Sequence, residues 1–260
     1  MLWLETFMDP SMALAAVLSL AIGVSLGLLG GGGSILTVPI LIYALQVEEK
    51  SAIATSLLVV GITSAFAAVQ HARAGNVVWR VALIFAAAGM VGAFFGGGVA
   101  QYLSSTLLLV LFGLIMLATS LAMWRGKKAP ATTGENTSHE LPLPKIVAEG
   151  LLVGAVTGLV GAGGGFLVVP ALALLGGLTM QQAIGSSLVV IALKSFAGFA
   201  GYATHVEVNY PLASVVTVAA VLGSFAGARF AKQVSAESLR KGFAIFVLVM
   251  AVFILAKQIL

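Results

Sequence analysis

Two runs of glycine, GGGG at 30–33 and GAGGG at 161–165, interrupt stretches of this chain that are otherwise apolar. Glycine lacks Cβ and disfavours helix by about 1 kcal/mol per residue, so consecutive glycines should unwind a helix that meets them. Helices restarting near Ser34 and Gly165 would aim free N–H groups and the positive end of the helix dipole back at each break. That is the chemistry of an anion site. Gly31, Gly32, Gly33 and Ser34 in the first run, and Gly163, Gly164 and Gly165 in the second, are therefore candidate binding residues. The plainer reading is that the glycines only let helices pack closely; the fact that they are consecutive and occur twice favours a site. No Gly-Lys-Ser/Thr follows either run, so neither is a nucleotide phosphate loop.

Lys194 lies deep in the apolar stretch 182–203, too far from its ends to snorkel. An ionisable group at that depth costs several kcal/mol or more and marks a functional position by default. Its alternative is a lysine paired with a backbone carbonyl or a loop carboxylate. Thr55 and Ser56, and again Ser186 and Ser187, sit near the starts of comparable stretches. Their hydroxyls suit substrate oxygens, or equally their own helix backbone. His71 and His205 end those stretches and are candidates for carrying a coupling proton, although a solvated loop position is the simpler reading for both. All nine acids lie in loops or near segment ends, which argues against a cation carrier and for anion selectivity. Without cysteine there are no disulfides or thiolate sites. No cluster has metal-ligand spacing, no cofactor is implied, and the serines are far in sequence from the histidines, so an enzyme is not expected.

These residues need a membrane around them. Of 260 residues 60% are hydrophobic and 8% charged, with a mean hydropathy of +1.12; a soluble domain carries about 25% charge. The apolar stretches run roughly 11–29, 34–46, 52–71, 78–100 and 104–124, then 146–160, 165–178, 182–203, 210–230 and 236–258. About 20 residues of helix cross a bilayer. Between the two sets lies RGKKAPATTGENTSHELPLPK (125–145), a polar linker.

The second set copies the first. An offset of 131 (158 minus 27) lays GLLGGGGSILTVPIL (27–41) on GLVGAGGGFLVVPAL (158–172), AIATSLLVV (52–60) on AIGSSLVVI (183–191), and GNVVW (75–79) on VEVNY (206–210). Glycines and a proline (Pro39 with Pro170) matching at one offset indicate duplication. The expected fold is thus an all-α polytopic membrane protein with two tandem repeats of four to five segments, each with a glycine-broken first helix. Residues 1–124 form the first repeat, 125–145 the linker and 146–260 the second. If each repeat crosses five times, Arg73, Arg80, Arg125, Lys127, Lys128, Lys145, Arg229, Lys232, Arg240 and Lys241 share one side, so the positive-inside rule favours inverted repeats, a cytoplasmic linker and an N-terminus outside. The same rule assigns the pI of about 9.5 to topology, not to nucleic acid binding. GxxxG pairs at Gly23/Gly27, Gly92/Gly96, Gly154/Gly158 and Gly223/Gly227 read as helix-packing positions.

The glycine run followed by Val-Pro (GGGGSILTVP, GAGGGFLVVP), the A-x-x-SL element (AIATSL, AIGSSL) and the turn GNVVW/VEVNY resemble the TauE/SafE family of membrane anion transporters over nearly the whole chain. The second turn departs from the pattern with Val206 where the first has Gly75. The resemblance implies transport of sulfite, sulfonates or other sulfur oxyanions across the cell (inner) membrane. The expected partners are a small anionic substrate and the lipid bilayer; a homodimer is left open. An anion channel, or a carrier of small carboxylates, is the alternative.

Overall fold

The computed structural model describes residues 10–100, 102–125, 143–160, 165–202 and 206–259. Gly163, Gly164, His205 and most of the linker lie outside the described residues. The described part is helical, without strands. The first half contributes α1 (Pro10–Leu29), α2 (Gly32–Pro39), α3 (Glu49–Arg73), α4 (Trp79–Ala100) and α5 (Ser105–Arg125). The second contributes α6 (Leu143–Val160), α7 (Gly165–Pro170), α8 (Met180–Tyr202), α9 (Tyr210–Ala231) and α10 (Ala236–Ile259).

The apolar stretches and the helices coincide closely, with one informative difference. The helix after the first glycine run restarts at Gly32, two residues before the expected Ser34, so the break narrows to Gly30 and Gly31. Gly30 takes φ +77, a left-handed conformation open to glycine, and there the chain reverses. Gly33 then lies against the Leu26 side chain and the Ile22 carbonyl, so α2 folds back along α1. Both short helices end alike. Pro39 and Pro170 lack an N–H and crowd the preceding turn, and each helix widens into a single π turn, Ile40–Ala44 and Ala171–Leu175. Leu45 N–H then donates to the Ile40 carbonyl and Gly176 N–H to the Ala171 carbonyl. Gln46 and Gly177 follow at φ +54 and +65. Local caps start the later helices: Thr179 and Gln182 exchange side-chain and backbone bonds before α8, and Asn209 Oδ1 accepts from Leu212 N–H at the start of α9.

The small residues decide which helices meet. Gly23 and Gly27 sit on the backbone of Ala220, Ser224 and Ala228, while Gly223 and Gly227 sit on that of Leu20, Val24 and Leu28, so α1 and α9 run side by side in one direction. Gly92, Gly96 and Gly154 do the same for α4 and α6, against Leu151, Ala155 and Gly89. The packing role expected of the GxxxG glycines is what the structure has at these seven positions, the surroundings of Gly158 lying outside what is described, and both pairs join different halves of the chain. The central pair, α3 and α8, is antiparallel: Gly61 faces Phe196, Gly198 faces Leu57, and Gly185 lies beside His71. α5 and α10 are antiparallel as well, with Gly113 against Leu255 and the Ser120 hydroxyl donating to the Ala244 carbonyl at 2.8 Å.

Five helices of the described residues are long and apolar enough to cross a membrane: Lys50–Arg73, Trp79–Gly96, Met180–Ala200, Tyr210–Ala231 and Ala236–Ala256. Phe94 and Phe95 are 80% and 66% exposed, as suits side chains facing lipid. Trp79, Trp124 and Tyr210, all at helix ends, are exposed in the manner of an interfacial aromatic belt.

The glycine contacts are testable. Gly92→Leu or Gly227→Leu would drive a side chain into the facing backbone and should lower the melting temperature in detergent by an amount equivalent to about 1–3 kcal/mol or more. Gly242→Ala, where a Cβ meets nothing, should leave it unchanged or slightly raised. Equal effects at the three positions would contradict the helix pairing described.

Candidate functional site

Gly30 and Gly31 of the first glycine run lie in the interior, where Gly31 meets Gly165, the described residue of the second. A Cβ added to Gly31 would fall on the Gly165 carbonyl and 2.8 Å from the Phe166 Cα. One added to Gly165 would lie 2.7 Å from the Ser34 hydroxyl and 3.0 Å from Ile191, near the middle of α8. Gly30 lies as tightly on Ser187 and Ile184. The starts of α2 and α7 thus abut across the molecule, and only glycine lets them do so. Phe166 fixes α7 from behind, its ring 5.1 Å from that of Phe112 on α5 in an edge-to-face arrangement. Gly31 precedes α2 with no side-chain cap, so the first N–H groups of α2, from Gly32, Gly33 and Ser34, have no partner from within their own helix.

The candidate hydroxyls divide. Ser34 and Ser187 donate to carbonyls of their own segments, Gly31 at 2.7 Å and Ile184 at 2.8 Å. Ser186 accepts from the Val78 N–H at 3.0 Å, a contact between distant segments that the sequence did not reveal. Ser56 is buried, and the buried Thr55 hydroxyl has no partner among the described residues. The same is true of Thr63 and Ser64 at the middle of α3. In hydrocarbon an unpaired hydroxyl costs a few kcal/mol, so these three are the polar groups most in want of a ligand or water.

Lys194 reaches from α8 to α6. Its Nζ donates to the Thr157 hydroxyl at 3.0 Å, which in turn donates to the Gly154 carbonyl at 3.0 Å. Its stem passes Gly89 on α4. Thr157 belongs to the last turn of α6, just before the second glycine run, where the negative end of the helix dipole favours a cation. Neither a backbone carbonyl nor a carboxylate among the described residues pairs with this ammonium. At the equivalent places of the first half stand Thr63 and Leu26, so the charge is a feature of the second half alone.

His71 corrects the simpler expectation of a solvated loop residue. It lies inside α3, 3% exposed, with Nε2 3.1 Å from the Gly27 carbonyl and Nδ1 unpartnered among the described residues. Folding also brings His71 beside Gly185, next in sequence to Ser186, despite their separation along the chain. No nucleophile–base pair results: the imidazole serves Gly27 and the Ser186 hydroxyl serves Val78.

The Lys194–Thr157 contact yields a stability test. Thr157→Val strips a half-buried ammonium of its hydroxyl and should cost about 1–3 kcal/mol. Lys194→Met in the Thr157→Val background should recover part of that loss in a thermal-denaturation series. Strictly additive effects would show that the two side chains do not interact.

Comparison with known proteins finds membrane transporters. The sequence model of the sulfite exporter TauE/SafE family matches residues 15–254. A probable membrane transporter protein of Xylella fastidiosa (strain Temecula1) is 37% identical over 240 residues, 90% of this chain and 91% of the relative. One from Haemophilus influenzae is 30% identical over 87% of this chain and 91% of its own length. One from Methanocaldococcus jannaschii is 26% identical over 93% and 94%. No solved structure matches. The chain belongs to the sulfite exporter TauE/SafE family of membrane transporters.

Proposed function

We propose that this transporter carries a small anion, a sulfur oxyanion such as sulfite or an organosulfonate, by alternating access between two inverted five-helix units. The observation that carries the proposal is the meeting of Gly31 with Gly165 and Phe166, which brings two broken-helix starts together at the level of Ile191. Uncapped N–H groups, the hydroxyls of Thr55, Thr63 and Ser64, unpaired among the described residues, and the ammonium of Lys194, three residues along α8 from Ile191, all favour negative charge or oxygen-rich ligands. An ammonium has three donors, and Thr157 takes one of them among the described residues. The buried carboxylate among the described residues is that of Glu149, in the second turn of α6, and Lys145 lies 3.8 Å from it.

The pattern of helix directions supports inverted duplication. At the offset of 131, α3 corresponds to α8 and α5 to α10, and both of these pairs are antiparallel. The parallel pair α1–α9 turns into α6–α4 when the halves are exchanged. A two-fold axis lying in the membrane plane relates units in this way. These directions also gather Arg73, Arg80, Arg125, Lys145, Arg229, Lys232, Arg240 and Lys241 at one end, which the positive-inside rule assigns to the cytoplasm, with the N-terminus outside.

Purified protein in liposomes should take up labelled sulfite or methanesulfonate down a gradient, and Lys194→Ala should slow uptake about tenfold or more, as loss of a charge-assisted hydrogen bond implies. Sulfite or methanesulfonate should also raise the melting temperature as RT ln(1 + [L]/Kd). Neither uptake nor a thermal shift with any oxyanion would sink the substrate assignment. Throughput orders of magnitude above carrier rates would convert it to a channel.

A further inference from the structure

At the offset of 131 the turn entering α4 corresponds to the turn entering α9: Asn76 pairs with Glu207 and Val78 with Asn209. On the helices they face, Gly185 and Ser186 of α8 correspond to Ala54 and Thr55 of α3. These equivalent parts are in different places at the two ends of the molecule. At the end bearing Arg73 and Arg80, the turn is shut against α8. Gly75 takes φ +74, and the Asn76 N–H donates to the His71 carbonyl at 2.9 Å. The Asn76 carbonyl rests on Gly185, where a Cβ would collide, and the Val78 N–H donates to the Ser186 hydroxyl at 3.0 Å. Beneath them His71 Nε2 meets the Gly27 carbonyl and joins α3 to α1.

At the other end the same contacts are out of register. The Glu207 carbonyl accepts from Ser51 at 2.9 Å. Ser51 lies three residues before Ala54, where symmetry with Gly185 would place that carbonyl, a displacement of roughly 4.5 Å along the helix. The Thr55 hydroxyl, equivalent to that of Ser186, is buried and unpartnered among the described residues. A cavity of about 540 Å³ opens between Leu45–Ser51 and Glu207–Leu212.

We propose that these two turns are the gates of the transporter, and that the structure is shut at the Arg73 end and open at the other. Switching slides the Glu207–Asn209 turn inward by about one helical turn, so that the Asn209 amide donates to Thr55, while Val78 leaves Ser186. The inference rests on the duplicated-carrier reading above. A one-turn step between two registers is a two-position movement that packed helices permit. The gates are unequal in build. Gly75 and Gly185 let the first close tightly, whereas Val206 and Ala54 put side chains at the equivalent positions of the second. The state with the first gate shut is therefore the resting one, and a substrate shifts it only through differential affinity for the other state.

The chain has no cysteine, so introduced thiols report cleanly. Val78→Cys keeps the backbone N–H and should be protected from maleimide. Adding Ser186→Ala should speed its labelling by about three- to tenfold, the effect of losing one hydrogen bond, and Ser186→Thr should restore protection. Separately, the pair Thr55→Cys and Asn209→Cys, introduced beside Val78→Cys with Ser186 left in place, should form a disulfide under mild oxidant, and once formed should leave Val78→Cys freely labelled. Absence of the disulfide, or a disulfide that leaves Val78→Cys protected, overturns the proposal even if Ser186→Ala fails to fold. Neither measurement uses a substrate. Anion uptake with gates that label independently would remove the gating and keep the transporter; reciprocal gates without anion uptake would do the reverse.

Discussion

A peptide group in hydrocarbon has no water to fall back on, and an unpaired one costs several kcal/mol. An unwound segment inside a bilayer must therefore be wrapped by protein or reached by solvent. This requirement explains why the glycine runs are central. Gly30 and Gly31 lie against Ile184, Ser187, Gly165 and Phe166, so the first break is enclosed by α8 and by the start of α7. The same close approach excludes any Cβ, which is why the sequence spends consecutive glycines there. Long helices elsewhere pair all their own backbone and are free to meet lipid with side chains such as Phe94 and Phe95.

Around this centre the helices are arranged by small residues. In a bilayer, burying apolar surface between helices gains little over lipid contact, so association depends on close backbone packing. The two most intimate pairs, α1 with α9 and α4 with α6, are glycine-lined on both sides. The central α3–α8 crossing differs. It uses Gly61 and Gly198 to receive Phe196 and Leu57, and the buried hydroxyls of Thr55, Thr63 and Ser64 on α3 have no partner among the described residues. A rigid frame of glycine-packed pairs around a less satisfied polar crossing is an arrangement in which movement at the centre costs least.

Much of this was legible in the sequence. Lipid solvent, the apolar segments, the break at Gly30 and Gly31 and the packing glycines follow from composition and spacing, because hydrocarbon allows few backbone solutions. What remained hidden depended on tertiary contact. Nothing local says that α1 would choose α9, or that Thr157 would meet Lys194. The proline-induced π turns were not anticipated, although Pro39 and Pro170 inside apolar runs carried the signal. His71 looked like a loop residue because Arg73 and Gly75 follow so closely, yet α3 continues past it and buries it. Gly185, standing where the first half has Ala54, was the visible trace of the Asn76 contact.

The exchange of partners between halves bears on biosynthesis. The glycine face of α1 is covered by α9, and that of α4 by α6, so neither half owns the surface its first-made helices need. A nascent chain must hold α1 in the membrane, its notch filled by lipid or another protein, until Tyr210–Ala231 has left the ribosome.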